Sequence, residues 1–535
     1  MMTPDHICKT LSTMKSLRSP HEQVWRDCFD YSYPIRGSGF NGDAMSAQEA
    51  LNRKARIVDG TLTDAARILS SSIMGGMTPA NSLWFNMDVG QESDEERRWL
   101  DQSADILWQN IHASNFDAAA FEGLIDVVCA GWFALYIDTD RERGGFTFDL
   151  WPISSVYCST SVAGGKIDTV YREYKLTAEQ AVKEFGAENV SENTRKLATD
   201  KPEEKVAFIH AIYPRTAYMA DAKLAKNMAI ASCKVEVGAK KLVSESGYNE
   251  MPVVVPRWMM IPDSVYAVGP VMDALPDAKT LNELCRMDLA AGDLAIAGMW
   301  IAEDDGVLNP RTVKVGPRKI IVANSVDSMK PLQSGSNFQY AETKIARLQG
   351  SIRKILMADQ LQAQDGPAMT ATEVHVRVAL IRQLLGPVYG RLQAEYLQPM
   401  IERCFGIAYR AGVLGDAPQS LSGREFTVRY LSPLARSQKL EQVTAIDTFV
   451  TGALQVAAAT QDTSILDNID MDAAMRFKGE ALSVPGEILR TTAARDQVRQ
   501  DRSDAQQAAQ QQAQQQEMQQ MTAQAAMKQQ PGAAA

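Results

Sequence analysis

The stretch Met369–Gly412 constrains the fold more than any other. Apolar residues recur there at three- and four-residue steps: Val374, Val378, Ile381, Leu385, Val388, Leu392, Tyr396, Met400, Cys404 and Ile407. That spacing is one continuous stripe along an α-helix. Thr370 and Glu373 form a capping box at its start, and Arg410 with Gly412 supplies a basic last turn and a left-handed cap. At 1.5 Å per residue such a helix would be roughly 60 Å long, more than one ordinary domain needs. Gly386-Pro387 and Pro399 interrupt it, so one or two kinks are predicted. Taken alone, the stripe fits a core helix of a large bundle.

The rest of the chain alternates between helical and β-like patterns. Ile7 to about Asp30 reads as helix, and a Gly-rich loop at Gly37–Gly42 follows. A second long helix is predicted from Ser46 to about Gly75, and a third from Ser93 to about His112. Trp132–Asp138, Phe146–Trp151, Val156–Cys158, Thr169–Tyr174, Val206–Tyr213, Ala229–Val237 and Pro252–Met259 are short runs rich in β-branched and aromatic residues. They predict an α+β region with one embedded helix at Ala178–Phe185. Helix returns at Asp277–Trp300, a β-like insert spans Ile301–Gln333, and helix resumes at Phe338–Met357. A polar loop, Asp359–Pro367, then leads into the long helix. Beyond it, Glu425–Leu431 reads as strand, and Gln438–Ala459 and Asp472–Leu482 as helices. The Gln/Ala-rich tail after Arg502 is either a solvated helix or disordered.

Charge and cysteine usage narrow the function. The 535 residues allow roughly three or four domain-sized units. Acids outnumber bases, 65 to 55, for a net charge of −10, the reverse of a protein built to grip nucleic acid. Seven scattered cysteines without a C-x-x-C point to reduced thiols. The N-terminus lacks the apolar core of a signal peptide. Leu289–Ile301, the most apolar run, is short and broken by Asp293, so no bilayer span is expected. The composition therefore predicts a soluble intracellular protein.

No motif supplies chemistry. Gly37-Ser38-Gly39-Phe40-Asn41-Gly42 spells G-x-G-x-x-G but follows Tyr33-Pro34 rather than a strand. Gly164-Gly165-Lys166 lacks the rest of a P-loop. Ser351 and Lys354 give S-x-x-K on a helix face, a spacing common by chance. The five histidines never fall at metal-ligand spacing, and Glu303-Asp304-Asp305-Gly306 lacks the alternating ligands of a calcium loop. Asp467, Asp470 and Asp472 read as caps and first-turn charges of the next helix. No metal or cofactor is implied, and an enzyme reading has no positive support.

Four segments together resemble one family, the head-to-tail connector (portal) proteins of T7-like short-tailed bacteriophages. They are Ala65–Phe85 with its GGMTPANS turn, Met251–Leu284, the MTAT at Met369–Thr372 leading into GPVYGRLQAEYLQPMIERCF, and VPGEILR at Val484–Arg490. They lie in the family's order across most of the chain. The resemblance implies a mainly helical α+β portal-type subunit and a ring of identical copies, typically twelve, at one capsid vertex. Double-stranded DNA would pass through its channel during packaging and ejection. The implied parts are a wing at 1–275, stem helices at 276–300 and 337–358, a small β clip at 301–336 and a channel loop at 359–369. The long kinked helix and a wing return strand would occupy 370–435, a helical crown 436–502 and the Gln/Ala-rich tail 503–535.

The implied partners are a terminase packaging motor, then a tail adaptor protein, with the major capsid and scaffolding proteins around the ring and no membrane. The protein would act in the virion after assembly in the host cytoplasm. Candidate DNA-facing residues of the loop are Asp359, Gln360, Gln362, Gln364 and Asp365, uncharged or repelling phosphate. Candidate partner contacts of the clip are Arg311, Lys314, Arg318 and Lys319. The competing reading is a helical scaffold or adaptor of a virion with no channel. A nuclease or translocase is disfavoured by the missing P-loop and metal clusters.

Overall fold

The computed structural model describes residues 2–40, 46–89, 93–140, 144–162, 164–219, 224–297, 299–302, 329–332, 338–361, 385–421, 427–430, 433–460, 463–481 and 492–528. The protein is α+β and mainly helical, as the sequence predicts. It divides into two compact units, Met1–Ser82 with Leu107–Val413, and Leu83–Ile106 with Leu414–Ala535.

Helix α1 (Pro4–Tyr31) opens the first unit, with the Thr3 hydroxyl accepting from the His6 N–H at 3.3 Å and Pro4 in the first turn. The single helix predicted from Ser46 to Gly75 is instead two, α2 (Ala47–Lys54) and α3 (Thr61–Met77). The break has a tertiary cause. Asn282 donates to the Arg56 carbonyl at 3.1 Å and accepts from the Val58 N–H at 2.7 Å, so the backbone between the helices finds its partners outside the helix.

Next come β1 (Phe85–Asp88), α4 (Asp94–Ala113) and α5 (Phe116–Ala130). Ser93 and Glu96 make a reciprocal capping box at the start of α4. Helix α5 was not expected, although it is the most deeply buried helix in this part of the chain. It ends at Gly131, whose φ of 86° only glycine adopts without strain.

The β-rich region follows: β2 (Ala134–Thr139), β3 (Phe146–Trp151), β4 (Val156–Ser159), β5 (Thr169–Thr177), α6 (Ala178–Phe185), α7 (Glu192–Asp200), β6 (Lys205–Pro214), β7 (Ile230–Glu236) and β8 (Lys241–Tyr248). Strands β4 to β8 form a sheet in chain order, each pair antiparallel. Ile7, Leu11 and Met14 of α1 cover one face, packing on Tyr157, Tyr171, Ala211 and Cys233. Ala181 and Phe185 of α6 pack with Phe208 and Val243 in a second cluster. Both α7 and β8 escaped the sequence reading. The stretch Pro252–Met259 contributes only two short pieces, β9 (Val253–Val254) and β10 (Met259–Met260). Strand β9 joins β2 and β3 in a second small sheet, and β10 pairs with β11 (Ala267–Val268).

The unit continues through α8 (Pro270–Ala297), β12 (Met299–Ala302), β13 (Met329–Leu332), α9 (Phe338–Ile355) and α10 (Ala358–Leu361). Of the long predicted helix, residues 385–410 are described. They run helical from 385 to 392, pass through a π turn at Gln393–Leu397 and continue as Gln398–Arg410, with Gly412 at φ 72°. The π turn stands where a kink was predicted. Pro399 has no N–H to offer and its ring crowds the preceding turn, and the wider turn relieves both. Leu385, Leu392, Tyr396, Met400 and Cys404 are buried as the stripe requires. Ion pairs anchor the helix, among them Arg257 to Glu395 at 2.8 Å and Arg403 to Glu250 at 3.0 Å.

In the second unit, β1 pairs antiparallel with β14 (Thr427–Tyr430), matching the strand predicted there. Helices at Pro433–Thr460, Met471–Ala481 and Thr492–Lys528 follow, so the Gln/Ala-rich tail is helical as far as Lys528. Asp470 caps the second, accepting from the Ala473 N–H at 2.9 Å. Asp472 pairs with Arg495 and Arg499 at the base of the third. Against expectation, one described helix is long and apolar enough to cross a bilayer: Gln442–Thr460, mean hydropathy 1.2 and mostly unburied. Its apolarity comes mainly from Ala and Val rather than Leu and Ile. Asp447 within it is ion-paired to Lys478.

Candidate functional site

The residues bearing on function gather around α8 and α9. Gly269 sets where α8 begins. A Cβ there would lie 2.6 Å from the Val128 carbonyl oxygen, so only glycine lets the chain pass this close to α5. The first half of α8 buries Val271, Ala274, Leu275, Ala278 and Leu281. Lys279 pairs with Asp27 of α1 at 2.5 Å. Helix α9 is rooted in the same body by Ile352 and Leu356, and α10 by Ala358. Gln349 donates to Asp59 at 2.8 Å, and Ser351 to Asp277 at 2.7 Å.

Away from these roots the pair changes character. Among the described residues, no side chain of α8 beyond Leu281 and none of α9 before Ile352 is buried. Met287 and Leu289 on α8, and Phe338 and Tyr340 on α9, are exposed. At the far end β12 and β13 close the pair, Met299 opposite Leu332 and Ala302 opposite Met329. The whole is an antiparallel helical hairpin, gripped at one end and tied by a two-stranded ribbon at the other.

The predicted site residues that are described fall at the rooted end of this hairpin. Asp359 and Gln360 sit at the rooted end, exposed, on the one-turn helix α10 rather than in a loop. Met357, at φ 56°, turns the chain from α9 into α10, and its carbonyl accepts from the Gln360 N–H at 3.1 Å. Gln362, Gln364 and Asp365 lie outside the described residues. So do Arg311, Lys314, Arg318 and Lys319, on the chain that leaves from β12 and returns at β13. The root anchors Asn282, Lys279 and Asp59 were missed, because nothing local in the sequence distinguishes them from solvated polar residues.

Catalytic chemistry finds little here. Among the described residues, no group of three or more His, Cys, Asp or Glu could hold a metal ion. His210 is buried, lies 2.8 Å from the Ser232 hydroxyl, and burial drives its pKa down to about 3, leaving it neutral. Burial pushes the Cys129 and Cys158 thiols up to about 12.

Residues 5–489 match the family described as bacteriophage head to tail connecting protein, and the chain belongs to that family. Its role is structural rather than enzymatic: a virion component that connects the phage head to its tail. Two relatives align over nearly the whole chain. The portal protein of Salmonella phage epsilon15 is 28% identical over 528 residues, 94% of this chain and 92% of that protein. The "Probable portal protein" of Bordetella phage BPP-1 is 27% identical over 513 residues, 93% of this chain and 91% of that protein.

Proposed function

We propose that the chain closes into a ring of identical subunits, typically twelve, at one capsid vertex, and that double-stranded DNA is packaged and ejected through its bore. The rooted hairpin of α8 and α9 carries this reading. A pair of helices that, among its described residues, buries nothing over half its length, and still exposes Met287, Leu289, Phe338 and Tyr340, is unfinished in one subunit. A head-to-tail contact repeated around an axis covers such surfaces and closes on itself. The hairpin is then the stem (276–300 and 337–358), and the segment between its strands the clip (301–336). Residues 1–275 and 370–435 form the wing, 436–502 the crown, and 503–535 the Gln/Ala-rich tail.

The bore must let a duplex slide. DNA carries about one charge per 1.7 Å of axis, so dense Lys and Arg contacts would hold it. Residues 359–369 favour release over grip, since Gln360, Gln362 and Gln364 are uncharged and Asp359 and Asp365 repel phosphate. The clip, at the far end, docks the packaging motor and later the tail adaptor through Arg311, Lys314, Arg318 and Lys319.

Negative-stain microscopy of the purified protein tests the reading. Rings with a central hole support it, and compact particles without one favour a scaffold or adaptor. Deleting residues 359–367 should change packaged DNA length; unchanged packaging removes the loop from the channel. Adaptor attachment that survives loss of Arg318 and Lys319 removes those two as contacts.

A further inference from the structure

Resting on the ring reading, we infer that subunits select one another by charge, the acidic α8 of one copy meeting the basic α9 of the next. Helix α8 carries five acids against two bases, and α9 four bases against one acid. Both bases of α8 are spent within the subunit, Lys279 on Asp27 and Arg286 on Glu283. Among the described residues, Asp273 and Asp288 have no cationic partner, and Lys344 and Lys354 have no anionic one. The two helices touch within one subunit, yet no ion pair joins their described residues. Each hairpin therefore presents an acidic helix and a basic helix whose charges are left for something outside it.

Geometry limits what that something can be. A two-fold contact could also set α8 against α9, but it closes at two copies, whereas a head-to-tail contact repeats around a ring. Rotation about a ring axis adds no shift along it, so charges that meet across a head-to-tail contact must lie at the same height on their hairpins. The hydrogen bond from Ser351 to Asp277 fixes the relative height of the two antiparallel helices. One residue forward on α8 is one residue back on α9, about 1.5 Å each. By that register Lys354 stands level with Ala274, beside Asp273. Lys344 stands level with Leu284, about 6 Å from the height of Asp288, within reach of its long side chain. Acid and base share a height at the root of the stem and lie within side-chain reach of one another halfway along it. A second copy of this chain meets these requirements, whereas DNA would match the basic helix and be repelled by the acidic one.

The test uses two reversed full-length variants, D273K/D288K and K344E/K354E, examined by negative stain and sedimentation at physiological salt. Each alone should lose rings at least tenfold, with an unchanged circular dichroism spectrum. Mixed one to one they should recover rings, because in an alternating ring the basic α8 of the first faces the acidic α9 of the second and the acidic α8 of the second faces the basic α9 of the first. A folding defect would not be repaired by mixing. Variants that form rings alone, or a mixture that does not recover them, overturn the charge match while leaving the ring reading in place. Variants that form rings but lose salt-dependent retention of linear DNA would instead assign the lysines to the bore. Wild-type protein that makes no rings overturns the ring reading, and this inference with it.

Discussion

Arg36 holds Asp126 in a forked pair, Nε to Oδ1 at 2.5 Å and Nη2 to Oδ2 at 2.7 Å, with Asp126 sealed inside α5. A third bond, to Glu122 at 2.9 Å, keeps the guanidinium in place. The planar fork satisfies both carboxylate oxygens, which a lysine could not do. Replacing Arg36 with Met strands a buried carboxylate and should destabilise the first unit by about 3 kcal/mol or more. The companion change D126N should cost less, since the amide oxygen still accepts one bond. Urea denaturation of both variants checks the order, and equal losses would refute the fork.

Arg18 does comparable work on backbone rather than carboxylate. Its guanidinium reaches the carbonyls of Ile153, Ser154 and Val156 at 3.1, 2.9 and 2.7 Å, and lies 3.9 Å over the Tyr157 ring. These bonds clamp the turn entering β4 onto α1. R18M leaves buried carbonyls without donors and should cost about 3 kcal/mol. R18K should recover only part, because one ammonium cannot span three carbonyls. Thermal melts in which R18K matches wild type would show that charge alone suffices.

What the sequence showed and what it hid divide along physical lines. The stripe through Leu385, Tyr396 and Cys404 was legible because one wet face and one dry face alternate at helical period. Helix α5 was not, because Phe116, Ala120, Leu124, Val127 and Val128 are buried around nearly its whole circumference and leave no period to detect. Helix α7 failed for the opposite reason: only Thr194 is buried, so it has no stripe. The break between α2 and α3 depends on Asn282, more than two hundred residues away. Of the candidate site, the sequence placed the helical pair; residues 303–328 of the insert between its helices lie outside the described residues. The sequence did not show that Asp359 and Gln360 lie at the rooted end, which follows from packing at Ile352 and Leu356.

The root of α8 depends on two glycines that face each other. A Cβ on Gly131 would lie 2.7 Å from the Ala267 carbonyl carbon at a φ already closed to other residues, and one on Gly269 would lie 2.7 Å from the Gly131 nitrogen. Because α8 starts at the next residue, a shift here moves the whole hairpin. G131A and G269A should each cost about 3 kcal/mol. G269A should also reduce ring formation more than R18M does at equal stability. Similar ring yields for the two at matched stability would show that the joint merely supports the fold.

His210 makes the first unit sensitive to acid. It is enclosed by Trp151 and Tyr136, with ring centroids 5.6 and 6.1 Å away. Burial, then the charges of Lys234 and Arg172, lowers its pKa from 6.5 to about 3. The unfolded chain therefore binds a proton between those values that the folded chain refuses. Stability contributed by the neutral ring is present above pH 6.5 and lost as pH falls, by about 1.4 kcal/mol per unit until the folded value is reached. H210N keeps a partner for Ser232 and carries no titrating group. The melting temperature of wild type should fall more steeply than that of H210N between pH 7 and pH 5, with the curves converging or crossing on the acid side. Parallel curves would mean that His210 reaches solvent when it charges and that the pocket opens before the domain unfolds.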